Sequence, residues 1–507
     1  MKNIIPLILL ILSSINGYSQ DKNSVWVFGD SSGINFTNLS NPVPISSGMR
    51  GRGSCVSISD SIGNLLLYSF TVESSGAWST HIYNGTHISV PGADSISGEA
   101  WYSELVLLPK PNDTTGKLFK LFSLGTGGPP NPGLFMTIVD MNLNGGLGGL
   151  LQENVQIDNL DHADCLTAIQ HGNGKDWWLI SKKRTLPITT YNRFYIYYIS
   201  GDTVIPLPDQ DFNDMTDGDF QKIIWHPSGN KFMLINTLGY MSEFDFDRCS
   251  GIISLSRNIY PEQSSQWNRL FWSGAYSSNG NVFYSARTSF GGNAGDYNYL
   301  LQYDLAAANI PLSCDTLDST FYPIADCGDL RLAPDGKIYY SQAYPHGFPY
   351  KDTMYNYVNM NLGVVNNPDV VGNGCNFSPF SFYLGGKRTY YGLPNNPNYS
   401  LGPLSGSVCD TLTVSIKEAP EQLSTITVSP NPASHLAYFN AKHIKGDIGI
   451  LTIVSVSGEV LFQKSLPILN NGFVTSRIDL TNFVNGIYIL TFKTDKEILT
   501  KKIIVNQ

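Results

Sequence analysis

The sequence predicts an all-β chain, a seven-bladed β-propeller followed by a small C-terminal β-sandwich. Three observations carry this reading. A strand–turn–strand signal recurs six times, with turn glycines at Gly63, Gly116, Gly174, Gly229, Gly280 and Gly336, spaced 53, 58, 55, 51 and 56 residues apart. A third strand and a short fourth segment follow each instance, and four strands in about 50 residues is the signature of a propeller blade. The last eighty-odd residues form a separate set of short alternating strands broken by tight turns. The composition agrees: 48 Gly, 28 Pro and 28 Tyr with only 14% charged residues suit a turn-rich exported β protein, whereas disorder needs low hydrophobicity and high charge.

The chain opens with MKNIIPLILLILSSINGYSQ. One lysine, a short apolar run and small residues at Gly17 and Ser19 read as a secretory signal peptide over residues 1–19. No later stretch reaches the roughly 18 apolar residues of a membrane-spanning helix, so no transmembrane segment is expected. The propeller is expected over 20–398. Its hairpins are SISDSIGNLLLYSF, LPKPNDTTGKLFKLFSL, AIQHGNGKDWWLIS, IWHPSGNKFMLIN, AYSSNGNVFYSAR and RLAPDGKIYYSQ. Glycine is wanted at each turn because tight hairpins need positive φ. The N-terminal VWVFGDSSGINF and PVPIS read as second, third and fourth strands lacking a first. The late FSPFSFYLGGKRTYYGLPN can supply it, closing the ring and removing sheet edges. A degenerate repeat leaves six or eight blades as alternative counts. Trp177 and Trp178 lie on a strand of alternating faces, one toward the core and one between blades. Residues 399–424 are rich in Pro, Ser and Gly and read as a linker.

The C-terminal unit, 425–507, reads TITVSPNPASHLAYFNA, ILTIVSVSGEVLFQKSL, SRIDLTNFVNGIYILTFKTD and KKIIVNQ. About seven short strands suffice for a small sandwich. These motifs resemble the type A C-terminal sorting domain of substrates of the type IX secretion system of Bacteroidetes. The resemblance implies partners, the type IX machinery and its sorting peptidase, and a place outside the cell or on its surface after periplasmic transit. It assigns Pro430, Asn431 and Pro432 to a conserved turn, Gly458 to a hairpin, Gly486 and Tyr488 to the GIY motif, and Lys501 and Lys502 to a terminal basic pair. The propeller segments WVFGDSSGINF, DWWLISKK, FDFDRCSGIISL, LRLAPDGKIYY and NGCNFSPF resemble secreted Bacteroidetes proteins in which a WD/YVTN-like propeller precedes such a domain. These motifs sit at turns and buried strands, so they imply a fold and no chemistry.

Net charge is −9. It is uneven: residues 421–507 hold eight Lys/Arg against six Asp/Glu, while 21–420 hold 23 against 35. The acidic ring lacks the basic patch that nucleic-acid binding requires, so nucleic acid is excluded as a partner. The seven cysteines are widely spaced with no C-x-x-C pair, which argues against zinc and leaves disulfide pairing open.

Propeller geometry places the repeated short turns on one face and the long blade-to-blade and second-to-third-strand loops on the other, where binding residues concentrate. Trp78, Glu99, Trp101, His162, Asp164, Asp219, Trp267, Asp326 and Asp329 are the candidate ligand-binding residues of that mouth, together with Glu104 and Asp161. Carboxylates bordered by flat aromatic surfaces suit a carbohydrate or a cation-bridged ligand. The blander reading is that short polar residues at strand ends make turn and cap bonds. His162 and Asp164 are two apart and are a candidate acid/base or ligand pair. Asp209, Asp211, Asn213 and Asp217 put hard oxygens close together, as Ca²⁺ prefers, but the EF-hand pattern fails. No cofactor is expected otherwise. No HExxH, Walker A, Rossmann or GxSxG motif occurs, so no catalytic residue is assigned. The leading expectation is an exported binding or adhesion protein with an unidentified extracellular polymer or protein ligand. The alternative is a polysaccharide hydrolase or lyase on the same scaffold.

Overall fold

In the computed structural model, described for residues 22–74, 77–98, 103–125, 132–184, 192–212, 220–260, 270–288, 297–322, 324–345, 353–410, 424–469 and 472–507, the recurring turns are hairpins. All six turn glycines sit at positive φ, between 66° and 87°. An L side chain there would be strained, which is why the sequence repeats glycine at this place.

Seven antiparallel sheets follow one another along the chain. Blade 1 holds Val25–Phe28, Asp30–Asn35 and Val43–Arg50, and blade 2 holds Cys55–Ser59, Leu65–Ser74 and Ala77–Asn84. In blade 2 the fourth position is taken by 88–96, bridged at Tyr83–Ser89 and Thr80–Ile96. Blade 3 is Leu105–Pro109, Leu118–Gly125, Gly133–Asp140 and Gly149–Gln156. Blade 4 is Thr167–Gln170, Trp177–Lys182 and Asn192–Ser200, with an outer strand split into Thr203–Pro206 and Gln210–Phe212. Blade 5 is Gln221–Trp225, Lys231–Asn236, Met241–Asp247 and Ile252–Tyr260. Blade 6 is Leu270–Tyr276, Val282–Thr288, Tyr297–Asp304 and Asp315–Phe321, and blade 7 is Asp326–Leu332, Ile338–Ala343, Asn361–Val365 and Phe377–Tyr383.

Burial explains the pattern of each blade. Middle strands are covered on both faces, so Trp177–Lys182 is buried throughout, while outer strands such as Ile252–Tyr260 are mostly open to solvent. The apolar clusters lie between blades. Trp177 packs in a layer with Leu107, Phe119 and Leu121 of blade 3. Trp178 packs in another with Phe232 and Phe244 of blade 5, and its Nε1 donates to Arg248 O at 2.7 Å. Both tryptophans therefore serve blade-to-blade packing.

Ring closure uses the two ends of the propeller. Ser57 Oγ donates to Val25 O at 2.9 Å and Ser59 N to Lys22 O at 2.8 Å, so the N-terminal strand runs against its blade 2 neighbour, as a second strand does. Among the described residues no strand pairs with the free edge of Val25–Phe28; residues 388–398 instead join blade 1 at Asp30 and blade 2 at Arg52 and Cys55. Asp30 N donates to Arg388 O at 2.9 Å, Arg388 N returns a bond to Asp30 O at 3.3 Å, and the Arg388 guanidinium grips the Asp30 carboxylate. The earlier part of the expected closing segment, Phe377–Tyr383, is instead the outer strand of blade 7. Close backbone approach makes this possible. A Cβ on Gly392 would stand 2.0 Å from Gly53 O, and one on Gly328 would stand 2.7 Å from Tyr391 O.

Residues 399–410, expected in a linker, are bound to the propeller instead. Tyr399 Oη donates to Leu107 O at 2.8 Å, Leu404 N to Gly172 O at 2.8 Å, and Cys409 forms a disulfide with Cys249. Residues 411–423 lie outside the described residues, as do 1–21, which hold the expected signal peptide. Among the described residues no helix is long and apolar enough to cross a membrane.

The C-terminal unit is a sandwich of a three-stranded and a four-stranded sheet. The first orders Thr425–Ser429, Leu436–Lys442 and Val474–Asp479; the second orders Val460–Pro467, Ile448–Ser455, Gly486–Lys493 and Ile498–Val505. Phe439 and Phe492 meet across the core at 5.1 Å. Its three-stranded sheet rests on the propeller. Arg477 Nη1 donates to Asp211 Oδ2 at 2.9 Å, and Leu469 and Phe473 join the apolar layer of blades 4 and 5.

Candidate functional site at the channel mouth

The innermost strands of the blades begin at one mouth, and four of them carry a charged residue on the strand or just before it. Glu104 precedes the inner strand of blade 3, Asp164 that of blade 4, Lys222 lies on that of blade 5 and Asp329 on that of blade 7. Their side chains are buried: Glu104 is 0%, Asp329 2%, and Lys222 and Asp164 6% exposed. They form one belt around the channel. Ser54 Oγ donates to Glu104 Oε2 at 2.5 Å, and Ser103 N donates to Asp164 Oδ1 at 2.8 Å. The carboxyls of Glu104 and Asp164 are electrostatic neighbours. Lys182 Nζ donates to Gln221 Oε1 at 2.5 Å. Lys222 Nζ and Ser273 Oγ both donate to Asp329 Oδ1, and Arg331 Nε donates to its Oδ2 at 3.1 Å.

The closing segment seals the belt. Asp329 N donates to Tyr391 O at 2.7 Å, and Arg331 Nη2 donates to Asn395 Oδ1 at 2.8 Å. Asn395 Nδ2 reaches Leu105 O at 3.0 Å and Leu166 O at 2.8 Å, spanning blades 3 and 4. The chain's own residues therefore cross the channel just beneath the mouth. On the far side of this crossing a cavity of about 240 Å³ remains, walled by Trp225, Leu332 and several prolines.

Electrostatics follow from burial and partners. Burial, then the charge of Asp164, holds the Glu104 carboxyl well above the ordinary carboxylate range, so the pair keeps a shared proton. Burial also acts against ionisation of Asp329, but Arg331 and Lys222 outweigh it and bring its pKa to about 2. Burial lowers Lys222 to about 8 despite Asp329. A protonated Glu104 has a sign that can be measured. Its folded pKa lies above the unfolded value, so its contribution is full below the ordinary carboxylate pKa and is lost as pH rises toward the folded value. The variant Glu104→Gln keeps a neutral hydrogen-bonding group in place. Its melting temperature relative to wild type is expected to climb steadily between pH 4 and pH 8; a constant difference would contradict the shared proton.

The sequence-named residues separate into several groups. Asp164 and Asp329 belong to the buried belt and are not open to a ligand. His162 does not pair with Asp164. It is fully buried, with Nδ1 2.7 Å from Ser181 Oγ and Nε2 2.9 Å from Asp158 Oδ1, its ring edge-on to Tyr195. Burial raises the Asp158 carboxyl, but the bonds from His162 and Tyr197 hold it below its ordinary value. Sequence proximity misled here because residues 162 and 164 flank the buried Ala163 and point to different neighbours. Asp209 and Asp211 form no oxygen cage either. Asp211 takes two bonds from Arg193, at 2.8 and 2.9 Å, and one from Arg477, while Asp209 stands 3.2 Å from Arg193. Among the described residues no group of three or more His, Cys, Asp or Glu is arranged to hold a metal. Glu99, Trp101, Asn213, Asp217, Asp219 and Trp267 lie outside the described residues, as does the side chain of Trp78.

Asp326 is a named carboxylate at the rim and is only partly buried. It accepts from Tyr391 Oη at 3.2 Å, Thr288 Oγ1 at 3.2 Å and Cys327 N at 2.9 Å, and burial raises its pKa. Around it the structure assembles aromatic groups that the sequence reading missed. Trp272 lies 6.1 Å from Tyr391 and 5.8 Å from Phe220, and Arg52 covers the Tyr391 ring at 5.2 Å. All four are half-buried. Trp272 sits at a β-bulge between Phe271 and Ser273, which turns it out of strand alternation. Tyr391 arrives on the closing segment, 65 residues after Asp326.

Residues 427–506 match the family model described as the secretion system C-terminal sorting domain. No curated protein matches the chain. Among solved structures, the chain is similar to a putative 6-phosphogluconolactonase from Bacteroides fragilis, at 11% identity and a TM-score of 0.44, covering 74% of this chain and 97% of that one. A second putative 6-phosphogluconolactonase, from Bacteroides uniformis, gives 12% identity, a TM-score of 0.35, and coverage of 62% and 88%. A quinonprotein alcohol dehydrogenase-like protein from Bacteroides thetaiotaomicron gives 10%, 0.35, 73% and 75%. None of these likenesses is close enough to bring an activity with it. The geometry and the matched C-terminal model together make the chain a seven-bladed β-propeller carrying a type IX C-terminal sorting domain, addressed to the cell surface or the extracellular space.

Proposed function

We propose that the exported propeller is a non-catalytic binding module that holds an extracellular polymer at the channel mouth. The observation behind this reading is the half-exposed cluster of Phe220, Trp272 and Tyr391 beside Arg52 and Asp326. Flat aromatic surface next to one carboxylate and one guanidinium suits the apolar faces and hydroxyls of a glycan. The enzyme reading finds less support. Hydrolysis of a glycosidic bond needs two carboxyls open to the bond, and the Glu104–Asp164 pair is buried under the closing segment.

The test is a glycan array with wild type and Trp272→Ala. Truncating a central aromatic anchor costs about 2 kcal/mol or more, so the variant is expected to bind the preferred glycan about 30-fold more weakly at unchanged melting temperature. Turnover of any glycan by the wild type would overturn the non-catalytic reading, and equal binding by the variant would overturn the site.

A further inference from the structure

The sorting domain shows the solvent an apolar face that its own chain leaves uncovered. In a two-sheet sandwich the outer faces point in opposite directions. The outer face of the three-stranded sheet is spent on the propeller, through Arg477 on Asp211. The outer face of the four-stranded sheet therefore points away. Strand register shows what it carries. Val454 stands opposite Ile489, Ile489 opposite Lys502, and Ile487 opposite Ile504. Leu461 is 41%, Ile487 49% and Ile489 40% exposed, and at the adjoining turns Val456 and Val484 are each 76% exposed. Beyond a row formed by Gln463, Thr452, Thr491 and Thr500, a second apolar group of Ile448, Ile450 and Ile498 surrounds Lys493. No outward position of these four strands is Asp or Glu.

Two exposed apolar groups on one face of an exported domain mark an interaction site. Of the resemblance-derived motif residues, Lys502 lies on this face, while Tyr488 and Asn431 do not form it. Tyr488 is buried, and its Oη donates to Val484 O at 2.7 Å. Asn431 staples the edge strand, donating to Lys502 O at 2.9 Å and accepting from Ile504 N at 2.8 Å. Those residues build the domain and leave its outward face to make contacts.

We infer that this face is the surface by which the type IX machinery holds the chain, and that the machinery presents an apolar strip with acidic groups facing Lys493 and Lys502. The inference rests on the sorting role of residues 427–506. Charge complementarity selects the occupant. A face with two lysines and no carboxylate suits an acidic partner. The strongly acidic propeller of this chain is already engaged through the opposite sheet.

The experiment expresses the full chain in a type IX-competent host and measures the periplasmic and exported fractions. Variants are Ile487→Lys/Ile489→Lys, Lys493→Glu/Lys502→Glu, and a deletion of 425–507. Both substituted chains are expected to fall about tenfold or more in exported fraction while the purified proteins melt as wild type does. The charge-reversed chain alters only exposed lysines, so it reports even where the isoleucine variant fails to fold. Normal export of a folded charge-reversed chain, with the deletion retained, overturns the face and leaves the sorting role standing. Normal export of the deletion overturns the sorting role itself. A wild-type dimer that the isoleucine variant dissociates without loss of export would assign the face to a second copy and overturn the proposal.

Discussion

Replacing Asp329 by asparagine lowers the melting temperature of the propeller by about 5 °C at pH 7. Asp329 pairs with both Lys222 and Arg331 in the belt, and Lys222 is itself almost wholly buried. Removing one partner of a buried ion pair costs about 3–5 kcal/mol, because the remaining charge is left without compensation. Spread over the unfolding entropy of a ring of nearly 400 residues, such a loss amounts to roughly 5 °C. Asparagine preserves shape and keeps an acceptor for Ser273, so the change isolates charge. The pH dependence carries its own sign. The folded pKa of about 2 lies below the unfolded value, so the stabilisation is present above the ordinary carboxylate pKa and is lost as pH falls toward 2. The difference between variant and wild type should therefore be largest near neutrality and shrink in acid. A second substitution, Lys222→Met, should recover most of the loss in the Asp329→Asn background while destabilising wild type. A pair of independent, additive losses would show that the two groups do not act together.

The same belt shows what a sequence can and cannot disclose. The blade period was legible because Gly63, Gly116, Gly174, Gly229, Gly280 and Gly336 each occupy a conformation that other residues enter at a cost, and that local demand writes itself into the chain. The C-terminal sandwich was legible for a similar reason: Gly458 at φ 90° and the Asn431 staple are local devices. The belt has no such trace. Lys222 and Asp329 are 107 residues apart and Ser54 and Glu104 are 50 apart. Nothing near any of them reveals whether its charge is spent on a neighbour or offered to a ligand. Asp164 and Asp329 read from sequence as open to a ligand, and the structure buries both. The rim cluster was hidden twice over, by the bulge that redirects Trp272 and by the closing segment that delivers Tyr391. That segment itself reads as a loop because its backbone bonds, such as Asn395 N to Cys55 O and Asp329 N to Tyr391 O, are scattered over several partners and build no continuous strand ladder.

The Cys249–Cys409 disulfide is expected to hold this closure by about 5 kcal/mol. It joins residues separated by 160 positions, and the chain-entropy account assigns a loop of that length about 5 kcal/mol of restriction on the unfolded state. The bridge ties the segment that has just crossed the channel to the turn between the third and fourth strands of blade 5. Weaker contacts work beside it: Gly402 N donates to Gln170 Oε1 at 2.8 Å and Arg248 Nη2 to Gly402 O at 2.5 Å. These are local, and none closes a loop covalently. The double variant Cys249→Ser/Cys409→Ser avoids leaving a lone thiol to exchange with the exposed Cys314. It should fold and melt about 6 °C below wild type, given the entropy of a ring this size. A reducing agent should bring the wild type down to the variant's value and leave the variant unmoved. The same treatment should make residues beyond 398 cleavable by protease before the blades unfold, since the segment then depends on hydrogen bonds and the packing of Tyr399 and Leu401. Coincident melting of oxidised wild type and double variant would mean that the belt and the Asp30–Arg388 clasp close the ring without the bridge. In that case the Asp329→Asn loss should exceed its expected size, because a single non-covalent closure would carry the whole restraint.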